Sequence, residues 1–219
     1  RDLYDAMSIW AGGLHGGVAV MTLFAAVFMA ATTGIIGGEI ILLGLVALPQ
    51  MLRLGYDQRL AIGTICAGGS LGTMIPPSIV LIFFGLTASV SIGELFVAVI
   101  FPGLLLAAFY VVYVLVRCRL NPDLGPPLPV EQRDIPIRAK LAMLKGLVLP
   151  LFIAFSVLGS IYLGIAAVAE AAAVGVLGTI FAAWVRGKLS WQLLRESVQQ
   201  AMTTCGLLLW LTFGATALI

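Results

Sequence analysis

Apolar residues run along this chain in long blocks, and polar residues gather in short clusters between them. Residues 1–16 are mixed. Leu3, Tyr4, Trp10 and Leu14 are interspersed with Asp2, Asp5 and His15, a pattern that predicts a short amphipathic helix lying at a membrane interface. An apolar block follows from Gly17 to Pro49. As one helix its 33 residues would reach about 50 Å at 1.5 Å per residue, against a hydrocarbon core of about 30 Å. The block is also interrupted by TTGIIGGE, Thr32 to Glu39. Two shorter helices folded back as a re-entrant hairpin over 17–49 fit these lengths better than one span.

Beyond the polar turn RLGYDQR (Arg53 to Arg59), the pattern predicts a broken helix over 60–88 and a span over 94–116 kinked at Pro102. A polar, proline-rich linker covers 117–145, closed by a short interfacial helix around Arg138 to Lys145. Spans over 146–163 and 165–185 are joined by almost nothing, and SWQLLRESVQQ (Ser190 to Gln200) leads into a span over 202–219. There is no fixed-period repeat. The expected fold class is an all-α polytopic membrane protein.

Composition agrees: 61% of residues are hydrophobic and 10% charged, with a mean hydropathy of +1.12. Soluble domains carry about a quarter charged residues. The chain opens RDLYDAMSIW and closes inside an apolar run, as expected of a piece of a longer protein. Cys66, Cys118 and Cys205 have neither disulfide-framework nor zinc spacing. The twelve basic residues fall in alternate loops; SVSIGE near 90 and YLG near 163 hold none. Cytoplasmic loops collect Lys and Arg, so the basic side is assigned to the cytoplasm.

The chemistry gathers at GGSLGTMIPPSI, residues 68–79. Irregular backbone at membrane depth survives only inside protein or beside a water-filled cavity. Pro76 and Pro77 lack amide hydrogens, Gly68, Gly69 and Gly72 permit an unwound stretch, and Ser70, Thr73 and Ser78 add hydroxyl oxygens. Neutral oxygens of this kind suit a dehydrated Na+, and discontinuous helices supply such sites in secondary transporters. The same glycines also suit close helix packing. A second interrupted segment, at Thr32 to Glu39, favours binding over packing.

At these residues the chain resembles the large membrane subunit of tripartite ATP-independent periplasmic (TRAP) transporters, the DctM type. The family's G-x-L-G-x-x-I-P-P-S-I is matched by Gly69 to Ile79. Its small-residue hairpin tip is matched by AATTGIIGG (Ala30 to Gly38), and its G-Y-D by Gly55, Tyr56 and Asp57. Its G-I-x-T-P-T-E-A-A-A-x-G reads GIAAVAEAAAVG here, Gly164 to Gly175, with Ala167, Val168 and Ala169 in place of Thr, Pro and Thr. The resemblance implies an elevator-type transporter of two inverted repeats, each with a re-entrant helical hairpin and a discontinuous helix. Residues 17–116 would close the first repeat and 146–219 would open the second. It also implies a multi-pass permease in a bacterial inner membrane that imports organic acids with Na+ as coupling ion. A periplasmic solute-binding protein would deliver the substrate, and a small DctQ-type subunit would pack alongside.

The residues assigned to ion or substrate binding are Thr32, Thr33, Gly34, Gly37 and Gly38 at the tip, and Gly69, Ser70, Gly72, Thr73, Pro76, Pro77 and Ser78 at the break. Gly69, Ser70, Gly72 and Thr73 are the expected Na+ contacts. Glu39 stands where the family leads one to expect a small or apolar residue. An acid inside a span is by default functional, here in coupling, unless the tip borders water and solvates it. Glu170 sits near an outer turn, where packing at the surface is expected. His15 reads as interfacial, Trp184 and Trp191 as belt residues, and Phe83 and Phe84 as packing. An intramembrane serine hydrolase would need a base near Ser70, and no histidine lies in any span. An ion-coupled elevator carrier working without a binding protein remains open, and no filter motif argues for a passive channel. Nothing points to nucleic acid or to a covalent cofactor.

Overall fold

The computed structural model describes residues 13–33, 36–128, 152–185, 187 and 189–217. Among these every regular element is helical. The expected helix over 1–16 lies outside the described residues apart from 13–16, as does most of the linker. Two units result, one reaching to Gly175 and one starting at Val176.

The apolar block folds as two helices that pack on each other, α1 (Gly17–Thr33) and α2 (Ile36–Arg53). They divide at the glycine-rich cluster, where helix propensity is poorest. α2 continues through Pro49 to Arg53, beyond the expected end; a proline this close to the terminus removes one hydrogen bond without ending the helix. Gly55 takes a φ of +82°, which glycine adopts without penalty, to turn the chain. Asp57 then caps α3 (Gln58–Ser70) by accepting the Leu60 amide at 3.0 Å. A 3-10 turn (Leu71–Thr73) and an irregular stretch lead to α4 (Ile79–Ala88). α5 (Ile92–Leu120) has 29 residues, about 43 Å at the helical rise, and runs unbroken through Pro102.

After a 3-10 turn at Pro122–Leu124, the described chain resumes as α6 (Phe152–Tyr162), α7 (Val168–Val185) and α8 (Trp191–Ala217). α8 therefore absorbs the polar lead-in. Ser190 accepts the Leu193 amide at 3.1 Å, and Gln192 donates to Glu196 one turn on at 2.8 Å, so polar residues extend the helix beyond the apolar run. Glu170 accepts the Ala167 amide at 2.9 Å, the back-reaching half of a capping box at the start of α7. Ile92–Leu120 and Val168–Val185 are long and apolar enough to cross a membrane.

The core of the first unit lies where α1, α2, α3 and α5 meet, around Leu23, Leu43, Met51, Ile65 and Val114. Large apolar side chains also face outward, including Ile41, Leu45, Phe101 and Phe109, as a lipid-facing surface requires. One end of this unit is tied by three hydrogen bonds. Gly16 N–H donates to Gly125 O at 2.8 Å and Asp57 N–H to Leu124 O at 3.0 Å. Val18 N–H donates to the buried Tyr56 hydroxyl at 3.1 Å. Burial pushes the Tyr56 phenol up to about 12. The buried Cys118 thiol fills the space beside Gly16 and Gly125: a Cβ on either would lie 2.8 Å from Sγ.

Candidate functional site

The interruption between α3 and α4 is the hub of the first unit. Its 3-10 turn touches α1, α2, α3, α4 and α5. Leu71 O accepts from both Met74 N–H and Ile75 N–H at 2.9 Å. In a continued α-helix the carbonyls of Gly72 and Thr73 would accept from residues 76 and 77, and neither proline has a hydrogen to give. The Pro76–Pro77 peptide is cis. Ser78 opens α4 in an extended conformation, φ −123°, without a capping hydrogen bond from its side chain. Its side chain is fully buried, and its Oγ has no hydrogen-bond partner among the described residues. Leaving a buried hydroxyl unsatisfied costs about 1–3 kcal/mol, so the group calls for an explanation.

The other two hydroxyls are already engaged as donors. Ser70 Oγ donates to Ala67 O at 2.7 Å and lies 3.4 Å from the Tyr110 hydroxyl. Thr73 Oγ1 donates to Ser70 O at 3.0 Å. Both keep lone pairs that can face a cation.

The break starts later than the sequence suggests. Gly68 and Gly69 belong to α3 and Gly72 to the 3-10 turn, and none has a positive φ. What they supply is proximity. A Cβ on Gly68 would lie 2.8 Å from Ala26 Cβ on α1. One on Gly69 would collide with Ile40 on α2, and one on Gly72 would lie 2.8 Å from Glu39 Oε2. The glycines seat α3 and its break on the α1–α2 pair, so their packing role is real, and the expected unwinding at Gly68 and Gly69 is corrected.

Glu39 is fully buried in the first turn of α2, which overturns the reading of a solvated Glu39 side chain. The amide-rich start of a helix favours a carboxylate, and the side-chain-free surface of Gly72 gives it room. Of the assigned tip residues, Thr32 and Thr33 end α1, while Gly37 and Gly38 lie in the first turn of α2. Gly38 faces open space. Gly34 lies outside the described residues. The start of α2 and the break are thus neighbours, through Ile40 with Gly69 and Glu39 with Gly72.

Two residues of α5 complete the surroundings and were missed by sequence reasoning. Gly103 lets the Met74 carbonyl approach, since a Cβ there would lie 3.0 Å from that oxygen. Tyr110 brings its hydroxyl to Ser70. The available signals were a glycine beside Pro102 and, with Tyr113, one of two phenol hydroxyls within an apolar run.

Comparison with known proteins gives a consistent picture. The profile of the family described as "Tripartite ATP-independent periplasmic transporter, DctM component" matches residues 1–219. The C4-dicarboxylate TRAP transporter large permease protein DctM of Pseudomonas aeruginosa is 33% identical over 183 residues, covering 84% of this chain and 42% of the relative. The isethionate TRAP transporter permease protein DctMQ of Oleidesulfovibrio alaskensis is 31% identical over 217 residues, 99% of this chain and 33% of the relative. The ectoine TRAP transporter large permease protein TeaC of Halomonas elongata is 30% identical over 187 residues, with 84% and 42% covered. The chain therefore spans less than half the length of these relatives, all of them named as transporter permeases rather than enzymes. On a match along its whole length, this chain belongs to the DctM component family of tripartite ATP-independent periplasmic transporters.

Proposed function

We propose that this chain is the middle of the large permease of a Na+-coupled importer of small organic acids, placed in a bacterial inner membrane. A soluble binding protein delivers the substrate, and a small membrane subunit packs beside the permease. In this reading α1 and α2 form a re-entrant hairpin, α3 and α4 are the two halves of its discontinuous partner, and residues from 146 begin an inverted second repeat of an elevator. The names of relatives support the substrate class: C4-dicarboxylate, isethionate and 2,3-diketo-L-gulonate are organic anions, and ectoine, named for two other relatives, carries a carboxylate balanced by a positive charge.

The observation that carries the reading is the buried, unpartnered Ser78 hydroxyl at the end of a break enclosed by five helices. Na+ takes its ligands from such oxygens, and the carbonyls of Gly72 and Thr73 are the nearest in sequence that helix geometry leaves over. Glu39 adds a carboxylate beside Gly72 and would set how strongly a cation is held. The remaining oxygens come from the tip, Thr32 to Gly38, and from chain beyond residue 219.

Uptake by the full-length permease with both partners, reconstituted in liposomes, tests this. Loss of one charge-assisted contact is worth about 1.5–3 kcal/mol, so Ser78→Ala should raise the half-saturating Na+ concentration by about tenfold or more. Unchanged Na+ dependence together with a higher melting temperature would sink the ion role, because that is how a merely unsatisfied hydroxyl behaves. Glu39→Gln with unaltered pH and Na+ dependence would remove Glu39 from coupling. Uptake of free substrate without the soluble protein would favour a carrier that needs no binding partner.

A further inference from the structure

A groove of about 630 Å³ runs between α3 and α5, from the tied end toward the break. Its two ends differ in chemistry. At one end Arg59 and Arg117 flank it beside Asp57 and Leu124; at the other its walls are Ala67, Phe109 and Tyr110. The helices are antiparallel here, since Asp57 bonds Leu124 while Ser70 meets Tyr110. Eight residues separate Arg59 from Ala67, and eight separate Phe109 from Arg117. At 1.5 Å per residue each wall is about 12 Å long, close to one leaflet's half of a 30 Å core.

Both arginines are exposed, and neither has an ion-pair partner among the described residues. Of the charged residues that line the groove, Arg59 and Arg117 are basic and Asp57 alone is acidic, so the polar end has a surplus of one positive charge. That end also holds the turn with Arg53 and Arg59, on the side that the loop charges assign to the cytoplasm. A cationic mouth above a membrane-deep apolar trough has the shape and polarity of one lipid. Basic pockets between helices on this side of a membrane suit anionic headgroups.

We propose that this groove binds an anionic phospholipid of the cytoplasmic leaflet, its phosphate between Arg59 and Arg117 and an acyl chain along Gly63, Ala67 and Phe109. The lipid would span the joint between α3, which ends at the break, and α5.

Native mass spectrometry of the full-length permease with its partners, titrated with phosphatidylglycerol or phosphatidylcholine, tests the assignment. One phosphatidylglycerol should be retained in preference to phosphatidylcholine. Arg59→Gln with Arg117→Gln should weaken its retention by about 10- to 30-fold, from about 1 kcal/mol per basic residue, with phosphatidylcholine adducts unchanged. Gly63→Phe is the second arm. A Cβ on Gly63, which lines the groove, meets nothing within 4 Å, so a larger side chain has room to enter the trough; the variant keeps both charges and should expel the same lipid, an unchanged melting midpoint showing that the fold is kept. Loss in the arginine variant alone would mean surface attraction without a seated chain and would overturn the proposal. So would retention in both variants, as when the rest of the chain already closes the groove. Displacement from the wild type by millimolar inorganic phosphate would make this a free-anion site and reject the lipid.

Discussion

Replacing Gly72 by alanine puts a methyl carbon 2.8 Å from Oε2 and 3.0 Å from the carboxyl carbon of Glu39, a side chain with no exposed surface. Overpacking on this scale costs about 1–3 kcal/mol. Alanine in helical backbone recovers about 1 kcal/mol relative to glycine. Gly72→Ala alone is therefore expected to lose up to about 2 kcal/mol. In a Glu39→Ala background the obstructing atoms are gone, and the same substitution should gain about 1 kcal/mol from backbone preference. The two substitutions should thus couple by about 1–3 kcal/mol, well above the ~0.5 kcal/mol scatter of independent sites. At about 1 °C per kcal/mol for a protein about twice this chain's length, the melting midpoints of the four variants of the full-length protein, scanned at one rate in detergent, resolve the upper part of this range. Glu39→Gln keeps the shape and removes the charge, so Gly72→Ala should remain as harmful there as in wild type. If Gly72→Ala lowers the midpoint equally with and without the Glu39 side chain, the contact does not govern the site.

Three further outcomes follow from the tied end of the first unit. The Tyr56 phenol, held near 12 against about 10 in unfolded chain, gives a contribution that is complete below pH 10. It fades between pH 10 and 12 because the unfolded state releases its proton first; two pH units amount to about 3 kcal/mol. The stability gap between wild type and Tyr56→Phe, measured by thermal melts, should therefore narrow over that range. Asp57→Ala removes the cap on the Leu60 amide and should cost about 1 kcal/mol, whereas Asp57→Asn should restore most of it. The Cys118 thiol, which is buried, should resist maleimide in the folded protein and react once the protein is unfolded; ready labelling of Cys118 in the folded protein would contradict the packing around Gly16 and Gly125.

The helices were readable because apolar blocks and polar turns alternate along the chain, and the break was readable because Pro76 and Pro77 cannot donate. Where the break begins was not. Gly68 and Gly69 tolerate either helix or loop, and the choice was made by Ala26 and Ile40, residues far away in sequence. The burial of Glu39 was hidden for the same reason: its neighbour Gly72 follows 33 residues later. Cys118 lies between Arg117 and Arg119, inside the linker expected over 117–145, yet one face of α5 buries it. The start of α8 was misplaced because hydropathy marks where a helix meets lipid, while the cap at Ser190 marks where it starts.

The three hydrogen bonds at Gly16, Val18 and Asp57 join segments that are distant in the chain, and all lie at the end remote from the break. Mechanically this makes a clamp that grips several segments at one point. Each bond contributes about 0.5–1.5 kcal/mol, and they share one small junction, so displacing any one of those segments strains the others as well. Whatever loosens one of these contacts should therefore loosen that end as a unit, while the break keeps its own, separate packing against α1, α2 and α5.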